Sequence, residues 1–174
     1  MKMTADPRPG QKNSDLCQSC GLCCNGAIWD TTDVSLKHDE QFATIFVKEI
    51  ESRGEGKLAK VTQPCVAFKG HCTQYEIRPH DCRSYQCKLL KQLSSGTIDF
   101  HKAQKTVNTA TRLLDSSAEQ YNALYGDNLT RDEIAPVLRE LSKKAHTNHH
   151  DKAFWQTFPH YVKFLAVCEQ FFED

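Results

Sequence analysis

The residues "CQSCGLCC" (17–24) put four cysteines within eight positions, two of them adjacent, and four more follow at Cys65, Cys72, Cys82 and Cys87. Two residues between Cys17 and Cys20 allow a tight turn with both sulfurs facing one volume. Backbone N–H groups in such a turn can point at the sulfurs and stabilise negative charge there. That geometry suits a zinc knuckle or an iron–sulfur ligand pair. The spacing repeats from Cys20 to Cys23, and three cysteines so spaced favour an iron–sulfur cubane over a single zinc ion. A ferredoxin run would place its fourth cysteine three residues on, whereas here it follows at once, as Cys24. Neighbouring side chains of an extended chain point in different directions. Cys23 and Cys24 therefore need not serve one metal, and the later four cysteines supply the ligands that the first run lacks.

The stretch "RPHDCRSYQC" (78–87) limits how those ligands combine. Pro79 is a good first residue for a helix running to about Leu93. On a regular helix Cys82 and Cys87 would stand about 140° apart and could not reach one ion. Either the helix starts later or the two serve different sites. Sites drawing on both cysteine groups would tie residues 17–24 to 65–87 and make metal part of the folding free energy. Eight thiolates and two divalent ions would leave a charge of about −4. Lys69, Arg78, Arg83 and Lys88 are placed to offset it, and Arg78 and Arg83 could also bond to sulfur or hold Glu76 and Asp81. The bland alternative for each is a solvated surface group.

Composition narrows the setting. The 174 residues are 39% hydrophobic and 25% charged, which is ordinary for a globular chain able to bury a core without staples. Twenty-two basic side chains balance 22 acidic ones, so nothing favours nucleic acid or an anionic membrane. No apolar run is long enough to span a bilayer. The opening "MKMTADPRPGQKNSD" lacks the apolar segment of a signal peptide, and the expected location is cytoplasmic. In a reducing compartment nine cysteines favour metal or redox chemistry over structural disulfides. A thioredoxin-like dithiol would need a βαβ unit, which the pattern does not offer.

Three regions follow: a flexible tail (1–14), a cysteine-cluster region (15–93) and a helical region packed on it (94–174). The fold class expected is mainly α, with a small irregular, metal-organised N-terminal region and few short strands. Residues 27–36 read as a short strand with a turn at Asp30 to Asp33, residues 40–52 as a helix ended by "RGEGK", and residues 60–68 as a β-branched run interrupted by Pro64. Lys69 and Gly70 read as a turn. From Ile98, Ala103, Val107, Ala110, Leu114, Tyr121 and Leu124 form a helical stripe that Gly126 stops. "TRDE" (130–133) reads as a capping box, with Pro136 moving the helix start later. Residues 154–172 read as two helical pieces separated near Pro159, their aromatics forming core. A protein partner on these C-terminal helices is the alternative use of the same residues.

Other candidates are weaker. His146 and His150 are four apart, but without the glutamate of H-E-x-x-H they read, with His149, as an exposed helix end. His38, His71 and His80 flank the cysteines and could replace one as ligand. Cys168 reads as a buried small hydrophobe. No phosphate loop, nucleophile elbow or carboxylate pair stands out, so no reaction and no catalytic residue is assigned.

Taken together, "CQSCGLCC" with "NGAIW" after it, "PC" at 64–65, "CTQYEIRP" at 72–79 and "CRSYQC" at 82–87 resemble the YkgJ-type CxxCxxCC cysteine-cluster family, described as zinc- or iron-chelating. The resemblance covers residues 15–93, with Gln74 standing where members usually carry isoleucine or valine. It implies a ligand role for Cys17, Cys20, Cys23, Cys24, Cys65, Cys72, Cys82 and Cys87. It implies no settled reaction. A similar cluster occurs in flagellin lysine-methylating proteins, but no motif in the C-terminal half attaches to that chemistry. The expected function is a metal-binding protein holding an iron–sulfur cluster or zinc, with iron–sulfur favoured, and serving a redox or accessory role. A structural zinc module that binds another protein, and metal storage or delivery, are the alternatives.

Overall fold

The computed structural model describes residues 9–46, 51–53, 58–147 and 152–172. Among them the chain is mainly helical with one small sheet. Helix α1 (Pro9–Cys20) leads into an irregular loop, then strand β1 (Thr31–Ser35), helix α2 (Glu40–Ile45) and strands β2 (Glu51–Arg53) and β3 (Leu58–Thr62). A 3-10 turn at Tyr75–Ile77 precedes helices α3 (His80–Ser84) and α4 (Lys88–Ser94). Then come α5 (Phe100–Tyr125), α6 (Arg131–Thr147), α7 (Lys152–Thr157) and α8 (Pro159–Phe171).

The C-terminal half follows its periodicity. Asp99 caps α5 by accepting the Lys102 N–H at 2.7 Å. Ala103, Val107, Ala110, Leu114 and Ala118 form the buried stripe, and Gly126 ends the helix in the left-handed conformation at φ +72°. Leu124, expected on that stripe, is exposed. α8 lies along α5, and Phe154, Phe158, Tyr161, Phe164, Cys168 and Phe172 are buried. The aromatics near the C-terminus are therefore core, and Cys168 is the small buried hydrophobe expected of it. No helix among the described residues is long and apolar enough to cross a membrane.

Four expectations need correction. α1 begins at Pro9, inside the segment read as a tail, so Cys17 and Cys20 occupy the last turn of a helix. The helix expected over 40–52 stops at Ile45, and residues 51–53 are strand; residues 47–50 and 54–57, with most of "RGEGK", lie outside the described residues. Asp33 is within β1, opposite Lys60, and not in a turn. α6 starts at Arg131 despite Pro136, five positions further on. The ring removes the hydrogen bond to the carbonyl of Asp132, yet the helix carries on through it.

The sheet order is β1-β3-β2, antiparallel throughout, with Thr31 opposite Thr62 and Ser35 opposite Leu58. β3 ends before the cis Gln63–Pro64 bond, as the β-branched run followed by proline suggested. Two cores result. The larger joins α1, α4, α5, α6 and α8; the smaller is Val34, Phe42, Val61 and Ala67. Every cysteine but Cys168, which is in the larger core, lines a space bordered by Leu22 and Leu89 of the larger core and Phe42 and Val61 of the smaller.

Candidate metal centre

The loop after α1 takes its shape from glycine. Gly21 has φ +67°, and a Cβ there would stand 2.7 Å from the Phe68 ring. Only glycine accepts both the backbone and that approach. The Gly21 carbonyl then accepts the N–H groups of Cys24 (3.0 Å) and Asn25 (2.9 Å), which winds Cys23 and Cys24 into a tight turn. Leu22, fully buried, anchors that turn in the larger core. Further along, Asn25 is buried, accepts the Ala27 N–H and donates to Asp132 Oδ1 at 3.0 Å. Asp30 pairs with Arg139 and, at 2.8 Å, with Lys143. The loop is thereby fixed to α6 at two places.

The second cysteine group is brought to the first by the backbone. The Cys65 N–H donates to the Cys24 carbonyl at 2.8 Å, and the Phe68 N–H to the Cys65 carbonyl at 2.8 Å. A bridge between Phe68 and Cys72 turns the chain back, with Lys69 and Gly70 at its tip as expected. Thr73 donates both its N–H and its hydroxyl to the Ala67 carbonyl, at 2.9 Å each. Next, the single helix expected from Pro79 to Leu93 is two helices. Pro79 precedes α3 at its N-cap, Tyr85 and Cys87 are extended, and Cys87 is the N-cap of α4. Cys82 and Cys87 are separated by that break.

Asp39 holds α3 in place. This carboxylate is buried on the sheet side and accepts the N–H of Ser35 (2.9 Å) and of His80 (2.8 Å). The Arg83 guanidinium meets it at 3.3 Å. At the other end of the break, the Tyr85 hydroxyl donates to the Phe172 carbonyl at 2.7 Å. Each interaction ties a cysteine-bearing segment to a different part of the fold.

All eight cysteines expected as ligands, Cys17, Cys20, Cys23, Cys24, Cys65, Cys72, Cys82 and Cys87, line one cavity of about 590 Å³. Cys168, His38, His71 and His80 do not line it. His80 faces Asp81, and His146 packs edge-on against Trp155. His149 and His150 lie outside the described residues. Of the four basic residues expected to balance charge, Arg78 alone reaches the cavity. Its guanidinium lies 3.6 Å over the Tyr75 ring and donates to the carbonyls of Tyr75 and Cys82. Arg83 is held by Asp39 and the Arg78 carbonyl, and Lys88 by the Glu169 carbonyl, so neither serves the sulfurs.

Burial disfavours the thiolate at six of these cysteines. Burial pushes Cys20 and Cys82 up to about 12, with N–H or hydroxyl donors only partly opposing it. Burial also raises Cys23 and Cys24, and neighbouring cysteines add to it. Cys65 rises by burial against the Ala67 and Phe68 N–H groups. The Cys17 residue is exposed, yet protein surrounds enough of its sulfur for burial to raise it, against Arg78 and the Tyr75 hydroxyl. Among the described residues no three His, Cys, Asp or Glu side chains converge closely enough to hold a metal ion as they stand. The donor set nevertheless fits a thiophilic metal. It consists of thiols, with N–H groups near Cys20 and Cys65 and one guanidinium. Cys17, Cys20, Cys23, Cys24, Cys65, Cys72, Cys82 and Cys87 would hold such a metal as thiolates, the form that its charge would favour.

Sequence reasoning missed four contributors. Trp29 and Tyr85 line the cavity in edge-to-face contact, with ring centroids 5.4 Å apart. Tyr75 was legible only as part of "YEIRP", without its contact to the Cys17 thiol. Asp39 gave no signal, because two of its three partners, the His80 N–H and the Arg83 guanidinium, lie 41 and 44 positions away.

The model of one protein family, CxxCxxCC, described as "Putative zinc- or iron-chelating domain", matches residues 16–112. No curated protein and no solved structure matches the chain. The match begins at Leu16, beside the first cysteine, and runs through all eight into α5, which backs the cavity. On that span, more than half of its length, the chain belongs to the CxxCxxCC family.

Proposed function

We propose that the protein binds metal through Cys17, Cys20, Cys23, Cys24, Cys65, Cys72, Cys82 and Cys87, as an iron–sulfur protein in preference to a zinc protein. The observation that carries this reading is the assembly of eight thiols around one cavity from segments up to 70 residues apart in sequence. Unpaired thiols do not need such an arrangement. A cluster would supply one-electron chemistry when bound, and zinc a structural crosslink.

The chain's own residues prepare the cavity for either. The N–H groups near Cys20 and Cys65 stabilise thiolate charge. Arg78, fixed over Tyr75, supplies a cation. Leu22, Leu89, Val107 and Phe172 line the cavity with apolar surface, which limits water at the sulfurs. Preference for iron–sulfur rests on the repeated two-residue spacing of Cys17, Cys20 and Cys23. A cytoplasmic location and an accessory role beside a partner protein complete the proposal.

The test is the optical spectrum of anaerobically purified protein, with iron, zinc and sulfide assayed on the same sample. A brown protein bleached by dithionite, holding iron and sulfide, supports the proposal. A colourless protein with stoichiometric zinc and no sulfide leaves the structural zinc module. A protein with neither overturns metal binding.

A further inference from the structure

We infer that the eight cysteines form two four-thiolate centres, Cys17, Cys20, Cys23 and Cys87 at one and Cys24, Cys65, Cys72 and Cys82 at the other. The chain crosses between them at the Cys23–Cys24 peptide bond. This rests on the metal-binding reading above and names the ligands of each centre.

The first centre belongs to the helical layer. Cys17 and Cys20 are three apart in the last turn of α1 and share one face. α1 packs on α4, whose cap is Cys87. Cys20, Cys23 and Cys87 all join the larger core. Cys20 has Cys17 and Cys87 within electrostatic reach, and Cys23 has Cys20, Cys17 and Cys87 besides its neighbour Cys24.

The second centre belongs to the sheet layer. Cys24 and Cys65 are joined by a backbone hydrogen bond of 2.8 Å, and the Phe68–Cys72 bridge returns the chain beside Cys65. Cys65 packs on the smaller core. α3, which carries Cys82, packs against β1, and the Cys82 thiol is hydrogen-bonded to Thr32 there. After burial, the cysteines that act on Cys24 are Cys65 and Cys82, followed by Cys17 and Cys72, and those that act on Cys82 are Cys65 and then Cys72. Cys17 lies nearest the join: Cys87 leads its cysteine neighbours and Cys72 follows. Arg78 stands at that join, within reach of both Cys17 and Cys82.

A division by sequence order, with residues 17–24 at one centre and 65–87 at the other, would require Cys24 to leave Cys65 and Cys87 to leave the end of α1. Two double variants of the full chain separate the two divisions. Cys23→Ala with Cys87→Ala removes two ligands from one proposed centre, so half the wild-type metal should remain. Cys23→Ala with Cys24→Ala removes one ligand from each, so all of it should be lost. Division by sequence order predicts the reverse: total loss for the first pair and half for the second. Metal per chain is measured by elemental analysis, with circular dichroism on each variant.

The cadmium-113 magnetic resonance spectrum of wild-type protein loaded with cadmium needs no variant. Two resonances in the tetrathiolate range are expected, and a single resonance or a shift typical of nitrogen or oxygen ligands overturns the inference. Wild-type protein that takes up no metal overturns the metal-binding reading, and the division with it. Stoichiometric metal with the reversed pattern overturns the division alone.

Discussion

Gly21 is the residue on which the cysteine loop turns. Its left-handed φ of +67° and the Phe68 ring, 2.7 Å from a would-be Cβ, act together. Gly21→Ala should cost about 2 kcal/mol or more, from backbone strain plus displacement of the ring. Gly70→Ala shares the left-handed backbone, φ +75°, but meets no atom within 4 Å and should cost only about 1 kcal/mol. Urea denaturation of the two variants checks the difference, and equal losses would contradict the role given to Phe68. Asp39→Ala should be costlier, at about 3 kcal/mol, because it orphans the N–H groups of Ser35 and His80 and frees Arg83. The same denaturation series measures it. At this scale the cysteines were legible, because ligand spacing is local. Asp39 and the Gly21–Phe68 contact were not, since each depends on a partner distant in sequence.

Among the elements, α6 shows how a local signal can be right in kind and altered in detail. The Glu133 carboxylate accepts both the N–H (2.8 Å) and the hydroxyl (2.7 Å) of Thr130, so half of the expected capping box forms. These two bonds hold Glu133 below the usual carboxylate range. Its stabilisation is therefore complete above the pKa of the unfolded chain and is lost as pH falls through the lower folded value. Glu133→Gln should remove that dependence, so wild type and variant should converge in stability as pH is lowered; thermal melts across the acidic range measure it. Pro136 looked like a later start for this helix, yet five residues precede it, tied in by Asn25–Asp132 and the Asp30 pairs. The helix from Pro79 was predicted as one piece because "HDCRSYQCKLL" contains no breaker. The break comes from tertiary anchors, Asp39 at one end and Tyr85 with Phe172 at the other. The α5 stripe and the division at Pro159 were legible because an amphipathic period and a proline act locally.

Seen as a whole, the molecule is two cores with the thiols at their junction. The helical architecture followed from periodicity. The way residues 17–24 and 63–87 close on each other did not, because it is written in backbone hydrogen bonds such as Cys65 to Cys24 and not in side-chain pattern. On the metal-binding proposal, the cavity that the eight cysteines share is where metal would complete this junction. Stripping the metal with a chelator should raise amide exchange in residues 21–29 and 63–87 while α5 and α8, packed on each other through the larger core, stay protected. Uniform loss of protection would mean that the helical layer also depends on metal, and no change would mean that metal does not organise the junction. The most direct measurement of the central claim is X-ray absorption fine structure at the edge of the metal in anaerobically purified protein. The account predicts a shell of sulfur alone at about 2.3 Å, with a further iron–iron shell if the metal is a cluster. A shell containing nitrogen or oxygen ligands, or protein that holds no metal, would contradict it.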